Sequence, residues 1–539
     1  MLRNILWTQI IFLCTVKGLA QYKNDVTKPD TTRALNKNLE IPSVRFAENI
    51  SPRELKMHLD VLASKEMEGR ETGTPGNDLA ADYISRYLYN LGLSPIPETG
   101  TFKQPVAFTF SKWLKMECTI NGISYKHLWD YLVFPNENKG ENIESEEVIF
   151  LGYGIEDPRY NDYAKVDVKG KVIMINTGEP MLNDSVSRLT GSTNMSEWTT
   201  DSAKKLLLAK EKGVKAVLFI DQDIKKTLEL NRRKILGAFL ELGDLRTREY
   251  LYPPHMYIST TMAENIMGNN QKKIIKARRK ISKGKSKTVI LPAVYKLELE
   301  KEAKVLESNN VIGYIEGSDK KNEYVLVSAH FDHLGKRGDD IYHGADDNGS
   351  GSSLLLELAQ SFQQAVMEGE KPSRSIVFCW FTGEEKGLLG SKYYTEYPIF
   401  PLASTVVNVN VDMIGRTDDE YKNFTDYTYI IGSDRLSSEL HQISESVNQE
   451  YIQLVLDYKY NDEKDPNQFY YRSDHYNFAK NGIPAIFYFT GTHEDYHRTT
   501  DTADKILFEK MAKIGRLIFH TIYEVANRPE RIKVDGIVK

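Results

Sequence analysis

Histidines and carboxylates recur in this chain wherever an apolar run ends. The run Tyr324–Ala329 stops at His330-Phe331-Asp332. A polar loop then leads into Gly344-Ala345-Asp346-Asp347-Asn348-Gly349-Ser350-Gly351. Ser375–Phe381 is followed by Thr382-Gly383-Glu384-Glu385, and Thr405–Val411 by Asp412. Ser473-Asp474-His475 precedes the run Pro484–Phe489, and Tyr496-His497 follows it. Taken singly, a carboxylate at a strand end is an ordinary loop cap and a lone histidine is structural. Mixed imidazole and carboxylate donors gathered at one edge suit a divalent metal.

Two metals about 3.5–4 Å apart need one bridging carboxylate and two further ligands each. His330, Asp347, Glu385, Asp412 and His497 supply that number. Glu384 is adjacent to this set and surplus to it, and a carboxylate in that position can act as a general base on water. Asp332 is placed to accept the second ring N–H of His330. Asp474 is a weaker candidate for the same service to His497. Tyr496 is a candidate donor to a developing oxyanion.

The elements that must hold these residues are legible as a pattern. Short apolar strands (Tyr324–Ala329, Ser375–Phe381, Thr405–Val411, Tyr427–Ile431, Pro484–Phe489) alternate with helical periodicity over Leu354–Val366, Leu436–Val447 and Ala503–Val525. Such alternation predicts an α/β fold, a mostly parallel sheet flanked by helices. A parallel sheet collects its ligands at the carboxyl ends of its strands. Upstream, Ser51-Pro52-Arg53-Glu54 is a capping box with proline at the first helical position. Leu55, Leu59 and Leu62 mark that helix's inner face, and Ala80, Ile84, Leu88 and Leu91 mark the next one. Arg70, in the loop between these helices, either reaches a site or ties the loop. From about Phe102 the texture turns to β-like runs (Val148–Gly154, Lys171–Asn176, Lys215–Ile220) with a helix at Ser202–Lys212. That block shows no metal-ligand spacing and reads as a β-rich insertion. Leu297–Asn310 reads as a charged, weakly patterned bridge back.

The motifs AHFDH, GADDNGSG, TGEEKGLLGS, NVDMIG, SDHYNF and YHRTTDT, in this order, resemble those of the co-catalytic zinc aminopeptidases of metallopeptidase family 28, clan MH. The resemblance implies that one zinc is held by His330, Asp347 and Asp412, and a second by Asp347, Glu385 and His497. It makes Glu384 the general base and Asp347 the bridge, with Asp346 the fallback. It implies hydrolysis of the N-terminal bond of peptide substrates, with residues 43–101 and 303–529 as a discontinuous peptidase domain. Residues 102–302 are similar, more loosely, to a protease-associated domain, through YGIEDPRYNDYAKVDVKGKVIMI and AKEKGVKAVLFI. His475 reads as structural, and His343 as a candidate substrate contact. Manganese or cobalt would fit the same donors.

Length and composition bound the rest. At 539 residues the chain exceeds one ordinary core, so two domains or one with a large insertion is expected. A formal net charge of -5 gives no global argument for nucleic acid. The basic run Lys272–Lys287 reads as a solvated helix face. Arg3, the apolar stretch Ile5–Val16 and Gly18-Leu19-Ala20 read as a signal peptide over residues 1–20, predicting export to the periplasm or the medium. No later segment is apolar enough to span a bilayer. Cys118 and Cys379 are expected to be unpaired buried thiols, and oligomeric state is open. The rival readings are a glutamate-releasing carboxypeptidase, a single-zinc glutaminyl cyclase on the same fold, and a non-catalytic receptor-like relative.

Overall fold

The residues of the run leading to His330 alternate between two faces, and so do the cores they enter. Val325, Val327 and Ala329 pack into one hydrophobic cluster and Leu326 into another. The neighbouring strand repeats this: Ile376, Phe378 and Trp380 face the first cluster, and Val377, Cys379 and Phe381 the second. A strand buried on both faces must be apolar at every position, which is why these runs lack polar alternation. A computed structural model of the protein describes residues 41–236, 239–246 and 249–536. The segment read as a signal peptide lies outside the described residues.

The strands Lys320–His330, Arg374–Phe381, Thr405–Val411 and Ala485–Phe489 run parallel to their neighbours in this group. Tyr427–Ile431 enters antiparallel beside Ala485–Phe489, and Val289–Ile315 antiparallel beside Arg374–Phe381. The sheet is therefore parallel where the candidate ligands lie and mixed at its margins. Helices Pro52–Leu62, Gly351–Met367 and Phe508–Asn527 cover one face and share the first cluster. Ser51 Oγ accepts the backbone N–H of Glu54 at 3.3 Å, capping the first of these as the sequence predicts. Each large apolar side chain fully buried between helix and sheet contributes about 1.5–3 kcal/mol, and Phe378 and Leu358 are both wholly buried.

A second core lies within residues 118–299 and contains Val172–Ile175, Ala216–Ile220 and the inner residues of helix Gln271–Ile281. In that helix Ile274, Ala277 and Ile281 are buried and the lysines and arginines between them are exposed. The basic run is thus the solvated side of an amphipathic helix.

The bridge is the main departure from expectation. Leu297–Asn310 belongs to one continuous strand, Val289–Ile315. It pairs antiparallel with the strand Lys103–Ile120, from Lys103 opposite Val311 to Ile120 opposite Tyr295. From Val289 to Glu300 burial alternates strictly, with apolar residues inward and Ile290, Pro292, Val294, Lys296, Glu298 and Glu300 outward. Beyond that both faces are partly wet, so the period-2 signal fades while the ladder continues. Cys118 and Cys379 are free and buried, as expected. Among the described residues, no helix is long and apolar enough to cross a membrane.

Candidate metal centre

Strand ends and the glycine turn bring the predicted ligands together. Asp347 lies at the centre and splits its carboxylate. Oδ1 stands 3.4 Å from His330 Nε2, and Oδ2 stands 3.0 Å from His497 Nε2. On the first side, His330 Nε2 is 3.3 Å from Asp412 Oδ1 and 3.8 Å from Glu384 Oε2. On the second, His497 Nε2 is 3.3 Å from Glu385 Oε1. These side chains are mostly buried, His497 being the most exposed at 31%. Asp346 points elsewhere: its Oδ1 accepts the Gly415 N–H at 2.6 Å, and Oδ2 faces His493 Nε2 at 3.3 Å.

Burial alone would neutralise the carboxyl of Asp347, but the imidazoles of His330 and His497 hold it well below the usual carboxylate range. Glu385 is likewise desolvated and crowded by Asp347, yet His333 and His497 bring it down to about 2. Glu384 goes the other way. Burial pushes its carboxyl well above the ordinary value, against the pull of His330, with Glu385 and Asp412 adding repulsion. A bound cation would draw it down again.

The supporting shell differs from expectation in detail. His330 Nδ1 faces the main-chain carbonyl of Asp332 at 3.2 Å, while the Asp332 carboxylate is 3.8 Å away. That carboxylate instead accepts the Thr72 hydroxyl at 2.9 Å and the Glu384 backbone N–H at 3.1 Å. Asp474 is buried, and desolvation raises its carboxyl. Among the described residues no ion pair or hydrogen bond joins it to His497. Ser473, its neighbour, donates to Asp412 Oδ2 at 2.8 Å and accepts from Asn410 at 2.8 Å. Asp501 accepts the backbone N–H groups of Asp346 at 3.0 Å and Asp347 at 3.2 Å, which fixes the aspartate turn.

Arg70 ties its loop. Its buried guanidinium donates to the carbonyls of Phe331 at 2.7 Å, Leu62 at 2.5 Å, and His343 and Gly344 at 2.8 Å each. His343 Nδ1 lies 2.9 Å from the Ala63 carbonyl, a tether of the same loop. His475 stacks on Phe487 at 4.7 Å, and burial lowers its pKa to about 3, so it is a neutral packing residue.

Tyr496 stacks on His497 with ring centroids 3.9 Å apart and accepts from Arg472 at 3.3 Å. Desolvation raises its pKa, so it stays a neutral hydroxyl donor. Tyr496 and Arg472 border a cleft lined by Met413, Phe469, Phe487 and Phe489 and by Asp347, Glu384, Glu385 and Asp412.

Several side chains at this centre were not singled out by sequence reasoning. His333, three residues after His330, lies 2.9 Å from Glu385 Oε1. Ser473, Arg472 and Asp501 also belong here. The only available signal was position, since each falls inside or beside a motif that was read for another residue.

The donor set fits a cation pair. Two groups converge: His330, Glu384 and Asp412 on one side, and His333, Asp347 and Glu385 on the other, the donor atoms of each lying within 4.8 Å of one another. Nε2 of His497 and both ring nitrogens of His333 are buried with no hydrogen-bond partner among the described residues. Polar atoms left so in a dry interior need a partner.

Residues 310–522 match the model of peptidase family M28. "Aminopeptidase YwaD" of Bacillus subtilis (strain 168) is 28% identical over 240 residues, which is 42% of this chain and 46% of that protein. A "Probable leucine aminopeptidase" of Trichophyton verrucosum is 30% identical over 220 residues, 38% of this chain and 55% of its own. A "Probable glutamate carboxypeptidase LAMP1" of Arabidopsis thaliana is 36% identical over 122 residues, 22% of this chain and 17% of that protein. The chain spans about half the length of the first two of these relatives. In fold it is similar to an aminopeptidase from Aneurinibacillus sp. strain AM-1, with a TM-score of 0.52 at 19% identity, covering 92% of this chain and 98% of the other. The motifs, the sheet that gathers them and the matched stretch agree: residues 310–522 of this chain are similar to peptidase family M28.

Proposed function

We propose that this chain is a zinc aminopeptidase that hydrolyses the peptide bond following a free N-terminal residue. The observation that carries this reading is the divided carboxylate of Asp347, one oxygen toward His330 and the other toward His497. His330, Asp412 and Asp347 would hold one zinc, and His497, Glu385 and Asp347 a second. When bound, such a pair acts as a Lewis acid on the scissile carbonyl and makes a nearby water easier to deprotonate.

The chain's own residues do the rest. Glu384 sits beside the His330 side without being needed as a ligand, takes the proton from water and returns it to the leaving amine. Tyr496 offers its hydroxyl to the oxygen on which negative charge develops. Met413, Phe469, Phe487 and Phe489 supply an apolar wall for the substrate and limit access of water. Asp332 orients the Glu384 turn through the backbone. Residues 43–101 and 303–529 make up the peptidase domain in this reading. Residues 102–302 are a protease-associated-like insertion that restricts which peptides reach the cleft. Residues 1–20 are an export signal, on the strength of Arg3, Ile5–Val16 and Gly18-Leu19-Ala20.

The test is zinc content measured beside hydrolysis of a panel of aminoacyl-nitroanilides with an N-acetylated control. Two zincs per chain and cleavage of free-amine substrates alone is the expected result. Two zincs with release of C-terminal glutamate instead would favour the carboxypeptidase reading, which relatives such as the Arabidopsis protein keep in view. A single zinc with cyclisation of N-terminal glutamine would reject the aminopeptidase.

A further inference from the structure

Resting on the reading of Glu384 as the base, we propose that Phe108 is a positioning residue for it, backed by Leu240 and Leu242. All three lie in residues 102–302. The inserted block thereby helps to set the geometry of the reaction as well as access to the cleft.

The turn that carries Glu384 opens at Gly383, which has φ +71. A glycine lets the chain take that conformation and supplies no side chain to anchor it. Inside the turn, the Leu389 N–H donates to the Gly383 carbonyl at 2.9 Å. The N–H groups of Gly387 and Leu388 donate to the Glu384 carbonyl at 2.9 and 2.8 Å. These local bonds set the shape of the turn but not its place in the molecule. One outside hold is polar, the Asp332 carboxylate on the Glu384 N–H at 3.1 Å. The other is apolar. The Phe108 ring lies against the glycine, so that a Cβ on Gly383 would stand 3.4 Å from two ring carbons and 3.4 Å from Leu389 Cβ. Contacts this close leave the turn no slack on that side.

Phe108 is wholly buried and is itself held. On the strand Lys103–Ile120 it pairs with Leu306 of one neighbouring strand and Leu242 of the other. The second neighbour, Phe239–Leu242, runs antiparallel to it, with Leu240 opposite Phe110. The ladder is fastened at its end. The Gly243 N–H donates to the Ala107 carbonyl at 2.7 Å. The Thr109 hydroxyl donates to the Gly243 carbonyl and accepts the Leu245 N–H, each at 2.7 Å. Val106, Phe108, Leu240 and Leu389 form one apolar cluster, against which Leu242 and Tyr393 pack. Leu389 and Tyr393 stand one turn apart on the helix Leu389–Glu396, into which the Glu384 turn runs. Apolar packing therefore continues from the inserted block to the residue before the base. A general base works only within hydrogen-bond reach of its proton, and a shift of about 1 Å from remote packing can cost roughly a hundredfold in rate.

Leu240 belongs neither to the proposed ligands nor to the cleft lining. In Leu240→Ala, kcat should fall by about tenfold while KM and zinc content stay as in the wild type. Leu240→Met, which refills the space, should recover most of the loss. Hydrogen exchange on the zinc-loaded protein gives a second readout. The amides of Gly387, Leu388 and Leu389 should exchange about tenfold faster in Leu240→Ala, measured against the amides of Arg374–Phe381, which report general loosening. Phe108→Leu should move both readouts in the same direction. A folded Leu240→Ala protein with unchanged kcat, or with the turn amides protected as in the wild type, would overturn the proposal and leave Leu240 a packing residue only. Loss of zinc together with kcat would overturn it too, because the ligands and not the base would then have moved. A wild-type protein that holds zinc but cleaves no peptide would reject the aminopeptidase reading, and the exchange measurement would still decide whether the inserted block holds the turn.

Discussion

The Asp332 carboxylate accepts the backbone N–H of Glu384 at 3.1 Å, so the end of one strand fixes the turn that carries the proposed base on the next. Its other oxygen is held by Thr72 at 2.9 Å, which ties the same carboxylate to the loop between the first helices. Asp332→Ala is expected to keep zinc while kcat falls by roughly ten- to a hundredfold, because the base is misplaced and the ligands are not. Zinc content and kcat measured on one preparation check this.

Glu384→Gln removes the base and leaves all proposed ligands in place. It should retain metal while kcat falls by a factor of roughly 10²–10⁴. Asp347→Asn should instead lose metal, because it weakens both halves of the centre. A Glu384→Gln protein stripped of zinc would show that this residue is a ligand.

Arg70→Lys tests a support far from the chemistry. The guanidinium satisfies carbonyls of Leu62, Phe331, His343 and Gly344 in a fully buried position. An ammonium cannot span that fork, and each buried carbonyl left unpaired costs about 1–3 kcal/mol. A loss of roughly 2–4 kcal/mol in denaturant unfolding is expected, and an unchanged midpoint would refute the role.

A pH dependence follows from Glu357, buried in helix Gly351–Met367 beside His58 at 3.3 Å. Burial raises its carboxyl from 4.5 to about 8. Burial and the Glu357 charge raise Glu54 to about 7. Burial lowers His58 to about 4, so it gives no positive charge at neutral pH. A raised folded-state pKa means that the folded chain binds more protons. Its stabilising effect is full below pH 4.5 and is lost as pH rises through about 8. Thermal stability should therefore decline between pH 5 and 8, less steeply below pH 6.5 where the lowered His58 opposes it, by roughly 5 kcal/mol in all. Glu357→Gln should flatten that slope in calorimetry; a slope as steep as wild type would exclude Glu357 as its source.

Much of the α/β part was legible because strands buried on both faces are written as unbroken apolar runs, and because each ends in a residue with ligand chemistry. Arg374–Phe381 and Thr405–Val411 match their expected spans to within a residue. Leu297–Asn310 reads as a bridge because residues 301–307 of its strand are wet on both sides, so there pairing rather than burial defines it. Within the site, ligand types and order were visible in the sequence. Side-chain direction was not: that His330 turns Nδ1 to a main-chain carbonyl, or that His333 turns toward Glu385, depends on rotamers. Ser473 was hidden for the same reason, beside an aspartate and a histidine that drew the attention.

The pairing of Lys103 with Val311 has a topological meaning. The chain leaves the peptidase sheet and returns to it on adjacent strands, so from that sheet the whole intervening block is the tip of a single β-hairpin. Its length imposes no separation on the two ends, and its loss need open no gap in the sheet. A short turn joining the paired strands near Phe108 and Leu306 would close the same ladder. The block is thus held to the sheet by ladder hydrogen bonds in a fixed register, and Leu240 and Leu242 add an apolar contact to Leu389 and Tyr393.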